Sequence, residues 1–143
     1  MTNFYQAICE ALLKKQEGKE NVDIFFKLIQ GCRNVGYLKE AERFAEEGLV
    51  KYPDNFKLLS EYAWNACKAQ DTQEEINRLL YLKEKCNGVL PERIYHRLIK
   101  AYLKNNDIEN AKLTQKELVL HYPYPNSQIP TLWSPPPLPL IFL

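Results

Sequence analysis

Residues 22–55 and 92–125 of this chain are two versions of one pattern, set 70 positions apart without a gap. Phe25 meets Tyr95, Leu28 meets Leu98 and Ile29 meets Ile99; further on, Gly36 meets Asn106, Leu38 meets Ile108, and Ala41 meets Ala111. Tyr52-Pro53 closes the first version and Tyr122-Pro123 the second. A fixed period of this kind marks a supersecondary unit used several times, each copy burying its apolar face against the next. An offset of 70 leaves room for a middle copy of about 35 residues. Phe56 to Lys68 supplies its first helix, with Leu59, Tyr62, Ala63 and Ala66 at helical spacing. Asp71 falls where Asp107 falls in the last copy, whereas the second helix, Gln73 to Cys86, drifts by about one residue. There Asn87-Gly88 stands in place of the Tyr-Pro stop, so the middle copy is the poorest match.

The chemistry of each copy reads as a helical hairpin. The chain holds only five glycines, and before Pro123 its prolines are confined to Pro53 and Pro91, which favours long helices with a few sharp stops. Gly36 and Asn106 suit a left-handed turn between two helices. Ala41 and Ala111 remove bulk where those helices approach, and Pro53 and Pro123 end the second helix. An N-terminal helix over Thr2 to Lys15 precedes the repeats, with Ala7 and Ala11 placed 34 residues before Ala41 and Ala45. The expected organisation is an N-terminal half repeat or cap at 1–21, three repeats over 22–126, and a Pro-rich apolar tail at 127–143.

The order of aromatic residue, Leu, small residue, Gly or Asn turn, Ala and terminal Pro resembles the tetratricopeptide repeat, in two good copies and one degenerate copy. The resemblance implies an all-α, right-handed superhelical stack of antiparallel helical hairpins. It also implies a non-catalytic scaffold for protein or peptide partners. A second implied setting is an accessory module of a bacterial envelope or polysaccharide-synthesis system. The pentatricopeptide repeat, a binder of single-stranded RNA, is the rival helical repeat, and DIFFKLIQGCRNVGYLKEAERF passes for one copy. The KYPDN ending, the NDIENA turn and a net charge of +1 argue against it, because tracking RNA takes a basic excess.

In such a stack the first helix of each hairpin lines the concave face. Counted from Asp23, Lys57 and Arg93, that face takes offsets 0, 3, 4, 7, 10 and 11. It contains Phe26, Lys27, Gln30 and Arg33 in the first copy, and Lys57, Trp64 and Lys68 in the second. The third contributes Arg93, His96, Arg97, Lys100 and Lys104. The eighteen positions hold eight basic residues and two acidic ones, leaving 11 basic against 16 acidic elsewhere. A nearly neutral chain thus carries a basic groove, interrupted by Phe26, Trp64 and His96 as flat anchors. The expected partner is an acidic or carboxylate-terminated peptide steered in by the field. One subfamily grips a terminal carboxylate with Lys, Asn and Arg residues; Arg93 and Arg97 match its third-repeat pair, but Phe26, Gln30 and Glu61 break the rest of the set.

Catalytic constellations are missing from the sequence. His96 and His121 lie 25 residues apart without Cys, Asp or Glu at ligand spacing, so neither a metal nor a cofactor is expected. There is no nucleophile with a partnered base and no glycine-rich phosphate loop. Glu46-Glu47 and Glu74-Glu75 read as solvated helix surface, Tyr62, Tyr95 and Tyr102 as core, and Cys9, Cys32, Cys67 and Cys86 as buried thiols. The N-terminus lacks a signal-peptide pattern and no stretch is apolar enough to span a membrane, so a cytoplasmic scaffold is expected. From Ser127 the sequence SQIPTLWSPPPLPLIFL cannot continue a helix and favours polyproline II. It is expected to be disordered or docked. Self-association through an uncapped end of the stack is a further expectation.

Overall fold

The computed structural model describes residues 3–123; the Pro-rich tail expected at 127–143 lies outside the described residues. Every regular element among the described residues is an α-helix. The chain divides into two compact units, residues 1–88 and 89–143.

The first unit holds α1 (Phe4–Gln16), α2 (Val22–Asn34), α3 (Leu38–Lys51), α4 (Phe56–Lys68) and α5 (Thr72–Lys85). Each packs on the next, and α2 also packs directly on α4, so first helices of successive hairpins lie side by side. The second unit holds α6 (Glu92–Lys104) packed on α7 (Ile108–His121). α1 starts 34 residues before α3 and packs on α2 as a second helix would.

The three hairpins α2–α3, α4–α5 and α6–α7 have the same dimensions, a 13-residue helix, three connecting residues and a 14-residue helix. The first is offset from the second by 34 residues and the second from the third by 36. The expected one-residue drift within the second helix of the middle copy is therefore corrected: α5 is in register, and two extra residues lie in the connection from Cys86 to Pro91. That segment carries two consecutive left-handed residues, Asn87 and Gly88, at φ 60° and 88°.

Local chemistry explains the common dimensions. The last connecting turn is left-handed in all three hairpins, at Gly36 (φ 92°), Gln70 (φ 61°) and Asn106 (φ 58°). Asp71 and Asp107 then cap α5 and α7, their carboxylates accepting from the Glu74 and Asn110 amides at 3.2 Å. Asn21 and Asn55 cap α2 and α4 in the same way. Beyond α3 and α7 the tyrosine of each Tyr-Pro pair turns inward. Tyr52 meets Phe25 edge-on at 6.5 Å, and Tyr122 meets Tyr95 at 6.2 Å while donating to the Leu90 carbonyl.

Phe25, Leu28, Ile29, Ala41, Ala45 and Leu58 are fully buried and form the centre of the first unit. Helices meet closely where side chains are smallest. A Cβ at Gly48 would lie 3.0 Å from the Phe25 ring, and one at Gly31 would lie 2.7 Å from Ile8. In the second unit Ile94, Tyr95, Leu98 and Ala101 fill the corresponding space, closed by Ala111 and Leu118 of α7.

Candidate functional site

The expected groove positions fall into three separate groups. In the first unit Phe26, Lys27 and Lys57 come together around Asp23. Both ammonium groups lie 3.7 Å from its carboxylate, and Lys57 also lies over the Phe26 ring at 4.5 Å. Gln30 beside them is half-buried, and Trp64 carries Lys68 5.5 Å from its ring centre on the exposed end of α4. Much of the positive charge here is already matched within the protein.

Arg33 corrects the expectation directly. Its side chain is 4% exposed and its guanidinium is held by α4, through Glu61 at 2.6 Å and Asn65 at 3.2 Å. Burial makes this an internal tie between neighbouring hairpins, unavailable to a partner. Glu61, the other half of the pair, is likewise spent.

The second unit behaves differently. On α6, Ile94, Tyr95, Leu98, Ala101 and Tyr102 are buried, which leaves Arg93, Arg97, Lys100 and Lys104 on the opposite stripe at spacings of four, three and four. Arg93, Lys100 and Lys104 are exposed and Arg97 is half-buried. His96 joins them, exposed, with Nε2 3.9 Å from Glu92. Behind the stripe, Tyr95 donates to Glu117 at 2.8 Å and stacks near His121. Burial, with this hydrogen bond to a carboxylate, pushes the Tyr95 phenol up to about 12. The tyrosine is therefore a neutral structural donor, and the charge of α6 lies on its open face.

The middle hairpin contains a polar network that the sequence reading passed over. Arg78 of α5 lies 3.5 Å from the Tyr62 ring centre and donates to the Tyr62 carbonyl at 2.9 Å. It also bridges Glu42 of α3 and Glu74 of its own helix. Burial works against its charge, but the hydrogen bonds to both carboxylates more than restore it and hold the guanidinium charged. On one side of Arg78 a cleft of about 430 Å³ is lined by Leu49, Pro53, Leu59, Tyr62 and Tyr81. In register, Arg78 and Glu75 occupy the positions of the core residues Phe44 and Ala41, and Glu75 is itself buried. The solvated reading of Glu74-Glu75 is thus corrected, and a correct alignment of the middle copy is the signal that would have found these residues.

The remaining candidates resolve individually. Tyr95 and Tyr102 are buried as expected, while Tyr62 is half-buried. Of the four thiols Cys32 is buried and Cys9 is exposed, with Cys67 and Cys86 between them, so burial as the general state of the cysteines is corrected. Among the described residues no cluster of three His, Cys, Asp or Glu side chains could hold a metal, and no helix is long and apolar enough to cross a membrane.

No protein-family model and no curated protein matches the sequence. Among solved structures the chain is similar to MamA MSR-1 C2, at 17% identity and a TM-score of 0.60, covering 82% of this chain and 74% of that one. It is also similar to a MamA point mutant, at 16% identity and a TM-score of 0.58, covering 81% and 73%. MamA contains tetratricopeptide repeats, and the likeness, together with the helical hairpins, is that of a TPR-like fold.

Proposed function

We propose that the chain is a non-catalytic scaffold that binds an acidic peptide or protein segment along α6. The supporting observation is the stripe of Arg93, Arg97, Lys100 and Lys104, whose counterparts on α2 and α4 are largely matched by Asp23 and Glu61. A stripe of like charges on one rigid helix raises the local concentration of an anionic segment and accelerates its docking. His96 supplies a flat polar surface among the cations for a carboxylate or a ring to rest against. Helical hairpins of this type provide a frame, with specificity carried by a few exposed side chains.

The test is affinity capture from a cell extract with the wild-type protein and with an Arg93→Glu/Lys100→Glu variant, which changes exposed residues and leaves the core intact. The variant is expected to lose the acidic partners and to bind a purified one roughly tenfold more weakly at low salt. The difference should shrink as salt rises. Recovery of the same partners by both proteins would refute the proposal. Salt-sensitive capture of single-stranded RNA with no protein partner would refute it in favour of a nucleic-acid ligand.

A further inference from the structure

The first hairpin shows what a following element covers. Ile29 and Ala45 are fully buried where α4 packs on α2 and α3, and Arg33 is buried against Glu61 and Asn65 of α4. In the last hairpin, 70 residues on, the same positions carry Ile99, Gln115 and Leu103. Ile99 is only half-buried, Gln115 is exposed, and Leu103 is 49% exposed. Ile108, the counterpart of the half-buried Leu38, is also 49% exposed. Leu103 ends α6 and Ile108 begins α7, so the two lie at the same end of the hairpin. α6 and α7 therefore present an apolar surface in the place where the first hairpin receives α4.

The chain itself continues from the edge of that surface. Tyr122 is fixed at the end of α7 by its hydrogen bond to the Leu90 carbonyl and its contact with Tyr95. Residues 124–143 follow, without a single charged side chain. Pro125, Pro130, Pro135 to Pro137 and Pro139 remove the amides a covering helix would need and favour an extended run. At ~3.1 Å per residue in polyproline II, the ten residues to Trp133 reach ~31 Å. The 14 residues of α7 are ~21 Å long at 1.5 Å per residue. Ile129, Leu132 and Trp133 can thus reach Leu103 and Ile108. An uncharged segment has nothing to offer the basic stripe of α6 and much to gain from the apolar side.

We infer that residues 124–143 lie as an extended strap across the Ile99, Leu103 and Ile108 surface of their own hairpin, with Trp133 as the anchor. The strap replaces the helix that the prolines forbid. Trp64 and Trp133 are the two tryptophans of the chain, so Trp64→Phe makes Trp133 the reporter. In that background Trp133 is expected to be several-fold less quenched by acrylamide than in denatured protein, at every protein concentration. Adding Leu103→Glu should raise the quenching to the denatured value while the helical circular dichroism stays unchanged. Full quenching in the folded parent would overturn the inference. Protection that grows with concentration, alongside dimers in light scattering, would overturn it in favour of a second copy as the occupant. Should Leu103→Glu lose its helical signal, Trp133→Ser decides. A lower Tm supports the strap, and an unchanged Tm overturns it.

Discussion

At the scale of single residues, the value of a charge here depends on whether the protein has already used it. Arg33 and Arg97 occupy related positions on first helices, yet Arg33 is committed to Glu61 and Asn65 inside the stack. Glu61→Ala leaves that guanidinium buried with only Asn65 and the Glu61-position carbonyl beside it, and is expected to cost about 3 kcal/mol in urea denaturation. Adding Arg33→Met should recover most of the loss, because the buried charge is then gone. The apolar core was legible from spacing alone; Phe25, Leu28 and Ile29 are where a 3.6-residue period puts them. The burial of Arg33 was not, because a long basic side chain on a helix surface has the same pattern whether it meets water or a neighbouring helix's carboxylate.

At the scale of elements, the hairpins owe their common dimensions to turn chemistry more than to helix propensity. A left-handed residue two positions before each second helix reverses the chain, and three residue types perform the task. Gly36 does so without strain, whereas Gln70 carries a β-carbon into a region that disfavours it. No atom lies within 4 Å of where a Cβ at Gly36 would be, so its substitution is a purely conformational probe. Gly36→Ala is expected to lower stability by about 1 kcal/mol, and Gln70→Gly to raise it by up to about 1 kcal/mol, both read from thermal melts. Gly36 and Asn106 announced their turns in the sequence. Gln70 did not, since glutamine has no such preference, and without it the middle copy loses its register marker. The apparent drift of α5 followed from that loss; the two additional residues sit in the Asn87-Gly88 connection instead.

At the scale of the whole molecule, the chain contains three hairpins of equal length whose helices could in principle exchange neighbours. Repeat proteins are prone to this failure, because one copy's apolar face fits the next copy's partner nearly as well as its own. The middle hairpin is marked by Glu75 and Arg78, buried where its neighbours carry Ala41, Ala111, Phe44 and Thr114. Placed anywhere but against Glu42 and Tyr62, Arg78 would enter an apolar site without its partners, at a cost of several kcal/mol. A chain with Glu75→Ala and Arg78→Phe, which erases the mark, is expected to refold with an added slow phase and more aggregate than the wild type in stopped-flow dilution. Identical kinetics for the two chains would argue that order is set elsewhere. The pair of buried charges thus acts as an address: it tells the middle hairpin which place in the queue is its own.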